Sequence, residues 1–221
     1  MDPTDSFLVK KLMQGFARSA PSKDARYPIT LQRLRKIVEI LPLICNNSFE
    51  AMLFKTSFVL AFFGFFRVSE LLGQNMSLKG ARPAVQVNDV KVEAKKMTVQ
   101  LHGSKCDQTK KGETVCLKRE YLHTDVCPVI ATSEFLKVRP KSTKSFLVHM
   151  NGKQLTQYQF QAILKKAAKH LDWPVQNYSA HSFRIGAATS AAMNGDSIET
   201  IMKKGRWRSA AANNYVRLDM A

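Results

Sequence analysis

From Ala51 to Phe66 the chain is apolar at most positions, and Lys55 is the one charge in that stretch. Sixteen residues followed at once by Arg67 are too few and too charged for a bilayer span, which takes about 20 apolar residues. A helix apolar on every side belongs at the centre of a fold. The pattern therefore predicts a long core helix capped by Asn47 or Ser48, running through Leu72 and closed by Gly73. Before it, Leu34, Ile37, Val38 and Leu41 recur at i, i+3, i+4 and i+7. That spacing predicts a helix capped by Thr30 and ended by Pro42. The polar, basic residues 1–28 read as a short helix (Phe7 to Arg18) and a linker.

After Gly73 the period changes to two. Val85 and Val87, then Met97, Val99 and Leu101, then Val115 and Leu117 alternate with polar residues, which predicts three short antiparallel strands. A long hairpin loop, Gly103 to Gly112, joins the second and third. The chain then turns helical again. Val126 to Val138 is one helix, and Phe146 to His149 is a short extended piece. Thr156 caps a helix with Phe160, Ile163, Leu164, Ala167 and Leu171 inward and Lys165, Lys166 and Lys169 outward. Ala180 to Met193 is helical and Ala-rich, Asp196 or Ser197 starts another helix ending at Gly205, and a last short one runs from Ser209 to about Arg217. There is no internal repeat. The fold class expected is α+β, mainly α: a helical bundle with a small three-stranded antiparallel sheet.

Composition adds a partner to this picture. The 221 residues are 45% hydrophobic and 23% charged, an ordinary globular balance that excludes a fibre or a disordered tail. Thirty-four Lys and Arg stand against 17 Asp and Glu, a formal net charge of +17. Solubility alone asks for a net charge of only about 2–8. The excess points to a polyanion, because neutralising phosphates releases counterions. Nucleic acid leads, and an anionic membrane surface comes second. The four cysteines form no CxxC pair, so neither a disulfide framework nor a structural zinc is expected. Reduced thiols in an intracellular protein are the default.

Some polar groups sit where the pattern wants core. Arg67 ends the most apolar stretch, and a lone buried charge there costs several kcal/mol. Glu70, at i+3, can pair with it; by itself this reads as a structural ion pair. His181 and Arg184, also i and i+3, project from one face of an otherwise small and apolar helix, which suggests an anion site. Trp207 carries an indole N–H able to donate to a phosphate oxygen. Tyr215 lies in a polar, basic segment. Each alone has an ordinary packing explanation.

Together and in order, FFGFFRVSELL, SKCDQTKKG, AHSFRIGAATSAA, GRWRS and NNYVR resemble the tyrosine recombinase (phage integrase) family, over residues 27 to 217. The 23-residue step from Arg184 to Trp207 matches the family's spacing between its second arginine and its His-or-Trp position. The interval from Trp207 to Tyr215 is eight, where many members have nine. The wording of the motifs is most similar to the branch carried by eukaryotic mobile elements.

The resemblance implies the tyrosine-recombinase catalytic fold for residues 27–221, with residues 1–26 as a linker or the tail of a core-binding domain. It implies DNA strand cleavage and rejoining through a 3′-phosphotyrosyl intermediate. Arg67 is then the first catalytic arginine, with Glu70 orienting it. Lys105 in the hairpin loop is the catalytic lysine, delivering a proton to the leaving 5′-oxygen. His181 and Arg184 form the HxxR pair, Trp207 is a further donor, and Tyr215 is the nucleophile. Lys110, Lys111, Lys203, Lys204, Arg206 and Arg208 are expected to contact the DNA backbone. No metal, nucleotide cofactor or membrane is implied. The partner is double-stranded DNA, with self-association on it, in the nucleus if the host is eukaryotic. Competing readings are a catalytically inactive DNA-binding remnant of this fold, a type IB topoisomerase, and a basic protein for RNA or membranes.

Overall fold

The computed structural model describes residues 25–74, 83–102, 112–208 and 210–220. Among them are seven α-helices and one three-stranded sheet. The expected helix at Phe7 to Arg18 lies outside the described residues.

Helix α1 (Leu31–Ile44) buries Leu34, Ile37, Ile40, Leu41 and Ile44 along one stripe. It does not stop at Pro42 as expected. A proline removes only its own bond to the residue four before it, and Cys45 N–H still closes on the Leu41 carbonyl at 2.9 Å. Burying Leu41 and Ile44 holds the last turn in place. Helix α2 (Ser48–Phe63) starts where Asn47 Oδ1 accepts the Glu50 N–H at 2.9 Å. It is the buried centre: Leu53, Phe54, Phe58, Val59 and Leu60 are all at most 1% exposed. The Phe58 ring packs edge-on to Phe160 at 4.7 Å and stacks with Phe183 at 5.0 Å. Such rings stabilise by roughly 1.5–3 kcal/mol each through burial. The polar exceptions are satisfied: Thr56 Oγ1 donates to the Met52 carbonyl and, at 3.1 Å, to the carbonyl of Ala131.

The expected single helix to Leu72 is broken. A turn at Gly64–Phe66 separates α2 from the five-residue α3 (Val68–Leu72). The sheet follows, with β1 (Val90–Val92), β2 (Lys96–Leu101) and β3 (Glu113–Lys118) antiparallel in that order. The first strand therefore lies further along than Val85 and Val87 suggested. Those residues flank an isolated bridge from Gln86 to Ser145, and Val87 opens a 3-10 turn (Val87–Asp89): Phe146 N–H donates to Val85 at 2.9 Å and Val87 N–H to Lys144 at 2.9 Å. Alternation reports an extended backbone with one buried face, not which neighbour it pairs with.

Helices α4 (Pro128–Val138), α5 (Gln157–His170), α6 (His181–Met193) and α7 (Ile198–Gly205) complete the bundle. Thr156 caps α5 as expected, its Oγ1 accepting from Gln159 N–H at 3.2 Å. Short 3-10 turns, Ala210–Tyr215 and Leu218–Met220, end the described chain in place of one helix. No described helix is long and apolar enough to cross a membrane.

Helix α6 is small-residued for a steric reason. The segment leading into α1 lies directly on it, with Ile29 N–H donating to the Ser182 carbonyl at 3.0 Å and Leu31 N–H to Ser190 Oγ at 3.0 Å. A methyl at Gly186 would overlap the Ile29 backbone carbonyl. Gly186→Ala is therefore expected to destabilise by about 2–3 kcal/mol, lowering Tm by roughly 5–10 °C on a thermal melt. An unchanged Tm would contradict this close approach.

Candidate active site

Two helix ends build the site, and both stop in the same way. At the end of α2, Phe66 N–H reaches back to Ala61 and Phe65 N–H to Phe62. At the end of α7, Trp207 N–H reaches Met202 and Arg206 N–H reaches Lys203. These are Schellman closures, in which one residue takes the left-handed conformation usually left to glycine. Here those residues are Phe65 (φ 48°) and Arg206 (φ 58°). Each costs about 1–2 kcal/mol more there than glycine would. The closures leave free the carbonyls of Gly64, Phe65 and Gly205, and arginines take all three.

Arg67 opens α3. Its backbone N–H donates to Glu70 Oε2 at 2.8 Å and its Nη1 to Glu70 Oε1 at 3.0 Å. The carboxylate is 2% exposed and the Arg67 side chain 26%, so solvent reaches the guanidinium but not its acid. A short helix begun at Arg67 thus aims the side chain through its own N-terminal turn.

Arg184 comes from the second turn of α6 and is fully buried. The residue expected at an anion site thus lies beneath the surface. Its guanidinium donates to the carbonyls of Phe65 and Gly205, so two helix ends converge on it. The Trp207 ring lies over it, 4.4 Å from Cζ to centroid, and the Tyr215 ring at 5.6 Å. Tyr215 in turn packs on Trp207 (4.6 Å) and on His181 (5.1 Å). The eight-residue interval therefore still delivers Tyr215 to the cluster. Gly205 makes room for the indole, because a Cβ there would collide with the Trp207 ring.

Burial pushes the Arg184 guanidinium down from its ordinary range to about 10, and the neighbouring Arg67 and Arg206 cations push the same way; Glu70 opposes them. Three guanidiniums share one buried carboxylate, so the cluster carries excess positive charge. Three donors in it, Arg184 Nε, Arg206 Nε and Trp207 Nε1, are buried with no hydrogen-bond acceptor among the described residues. Buried donors are normally paired, and such exceptions call for an explanation.

Lys105, Lys110 and Lys111 lie outside the described residues. Lys203, Lys204 and Arg208 are exposed, with Lys204 Nζ against Asp196 at 2.5 Å. Arg206, expected on the DNA backbone, is turned inward. It donates to Gly64 at 2.8 Å, Phe65 at 3.3 Å and Glu70 Oε2 at 2.9 Å. Its fixed left-handed backbone aims it at the α2–α3 turn, and no sequence pattern announced that.

The sequence profile of the phage integrase family matches residues 33–221. The chain belongs to the phage integrase family. Among curated proteins none matches the sequence. Solved structures similar to it include XerH recombinase in a post-cleavage complex with its palindromic difH substrate (TM-score 0.66, 16% identity, 90% of this chain and 51% of that one). XerA recombinase is similar at TM-score 0.63 and 15% identity, over 86% of this chain and 60% of that one. A lambda integrase dimer bound to a COC′ core site is similar at 0.59 and 14%, over 92% and 51%. At such identities the likeness carries the tyrosine-recombinase catalytic fold. The chain spans between half and two thirds of the length of these relatives.

Within this phage integrase domain, one supporting residue escaped the sequence reading. Thr189, buried on α6, donates to the Tyr215 carbonyl at 3.3 Å and accepts from Arg217 N–H at 3.1 Å. It pins the backbone that carries Tyr215 to the helix that carries Arg184. A hydroxyl in the Ala-rich run was the only hint.

Proposed function

We propose that this chain is the catalytic domain of a DNA strand-exchange enzyme, which cuts and rejoins a duplex through a 3′-phosphotyrosyl intermediate. One observation carries the reading: an indole and a phenol lie over the buried Arg184 guanidinium, an imidazole packs on the phenol, and the Arg184 Nε and Trp207 Nε1 donors are buried without acceptors among the described residues. A phosphodiester supplies what that cluster lacks, a compact anion with several acceptor oxygens. The likeness to recombinases solved on DNA, including the Tn1549 transposon integrase with its circular intermediate, supports the same choice.

The chemistry follows from the groups. The Tyr215 oxygen attacks phosphorus, its proton passing to His181, whose ring packs on the phenol. As the bond from phosphorus to the 5′-oxygen breaks, that leaving oxygen takes a proton, the role carried over to Lys105. Arg67, Arg184 and Trp207 donate to the non-bridging oxygens as charge grows on them. Reversal by a free 5′-hydroxyl rejoins the strand. Because the Tyr215 and Trp207 rings cover Arg184, the phosphate reaches that guanidinium once the segment bearing Tyr215 shifts from it. Further parts of the reading are a eukaryotic mobile-element origin, a nuclear site of action, self-association on DNA, and residues 1–26 as the tail of a core-binding domain.

The test is a pool of nicked duplexes, end-labelled, incubated with the protein and run on a denaturing gel. A protein–DNA band that survives denaturation supports the reading. DNA binding without any such band would overturn it in favour of an inactive DNA-binding remnant, a second reading that the full burial of Arg184 favours.

A further inference from the structure

We propose that Arg206 is a positioning residue, tying the loop that carries Trp207 to the carboxylate that holds Arg67. The proposal rests on the strand-cleavage reading above. It replaces the role in which position alone had cast Arg206, a contact to the DNA backbone.

The first ground is burial. Its side chain is 8% exposed, which leaves no fork to offer a polymer. The second is how its donors are used. One guanidinium spans Gly64, Phe65 and Glu70 at 2.8, 3.3 and 2.9 Å, and its Cζ sits 5.2 Å from the Phe66 ring centroid. Its Nε stands 3.6 Å from Glu113 Oε2, an ion pair longer than a hydrogen bond. Glu113 is the first residue of β3, so the strand leaving the long hairpin is tied in as well.

The third ground is the backbone. The left-handed stop after α7 would be cheapest with glycine. A residue held in a disfavoured conformation points to a use for its side chain. The use is visible in what it joins. Glu70 Oε2 accepts from Arg206 and from the Arg67 backbone together. Phe65 O accepts from Arg206 and from Arg184 together. The next residue, Trp207, lies on Arg184 and Tyr215. Among the described residues, Arg206 is therefore the one whose side chain touches the acid of the first arginine and the carbonyl holding the second, while its backbone sets the indole.

Arg206→Lys keeps the charge but not the planar fork, and one ammonium nitrogen cannot span the acceptors that Nη1 and Nη2 reach on two elements. A DNA contact and a positioning residue then part in kinetics. The expected result is DNA affinity within about twofold of the parent, and adduct formation at saturating DNA slowed by at least about tenfold. Combined with Glu70→Gln, the loss should be well below the product of the two single losses, because both break one network. Glu113→Gln, at a half-exposed rim where folding is not at risk, should slow the step by about threefold in the same direction.

A readout independent of cleavage uses fluorescence. In a Trp173→Phe background Trp207 is the sole tryptophan, and Arg206→Lys should shift its emission while the far-UV circular dichroism is unchanged. Weakened DNA affinity with an unchanged rate would overturn the proposal in favour of a DNA contact. An unmoved Trp207 emission would overturn it too. Should the parent form no adduct at all, the cleavage reading fails, and the fluorescence result still decides what Arg206 does.

Discussion

Replacing Tyr215 with Phe is expected to give a folded, DNA-binding protein that forms no covalent adduct with a nicked duplex. The substitution keeps the ring, and with it the packing on Trp207 at 4.6 Å and His181 at 5.1 Å. It also keeps the ring above Arg184. Only the hydroxyl goes, so stability should move by less than about 1 kcal/mol. Adduct formation should fall by at least about 10³-fold, since removing the nucleophile of a covalent mechanism takes away the step itself. The measurement is the denaturing gel, with a filter-binding assay beside it to confirm that DNA is still bound. A persisting adduct would mean another nucleophile. The remaining tyrosines are poor candidates. Tyr178 is buried, and burial pushes its phenol up, which weakens it further. Tyr121 and Tyr158 are exposed on other elements, and Tyr27 packs edge-on to Tyr178.

What could be read in advance divides along physical lines. Periodicity found the helices and the sheet because burial on one face leaves a trace every 3.6 or 2 residues. Caps located their starts, as at Asn47 and Thr156. Pro42 misled because a proline near a helix end removes one bond, and packing of Leu41 and Ile44 outweighs it. The break at Gly64 was hidden by its surroundings, since residues 51–66 stay apolar into and through the turn and nothing in hydropathy distinguishes a helix from a buried left-handed Phe65. The motifs named His181, Arg184, Trp207 and Tyr215, and the fold brings these four together. They could not say that Arg184 would lie beneath two rings, because burial of a charge depends on which carbonyls happen to converge on it. Arg206 shows the same limit. Its type and neighbours suggested a surface cation, and only the handedness of the α7 end turns it inward.

Replacing Arg184 should damage both fold and cleavage, and the two effects can be separated by the choice of substituent. Arg184→Ala removes charge-assisted bonds to Phe65 and Gly205, worth about 1.5–3 kcal/mol each, and opens a cavity under Trp207. Relief of the buried charge offsets part of this. A net loss of about 2–4 kcal/mol follows, with Tm lowered by roughly 5–15 °C. Arg184→Lys keeps a cation and most of the volume. Its single ammonium cannot reach both helix ends, nor lie flat on the indole, so a smaller fall in Tm is expected. Cleavage at saturating DNA should still fall by about 10²–10³-fold, the scale for losing one donor to developing charge. A Lys variant that cut DNA at the parental rate would remove Arg184 from the mechanism.

The same residue predicts a response to simple anions. With the folded-state guanidinium lowered to about 10, well below its ordinary value, folding disfavours its proton. That penalty is present at every pH below about 10 and is relieved only as pH rises from there towards the ordinary arginine value. At neutral pH relief must come from a bound anion instead, which favours the charged form and so stabilises the folded state by linkage. Sulfate should therefore raise the Tm of the parent by more than it raises that of Arg184→Ala at equal ionic strength. Equal shifts in the two proteins would mean that the buried cation does not sense anions, and the phosphate role assigned to it would fall.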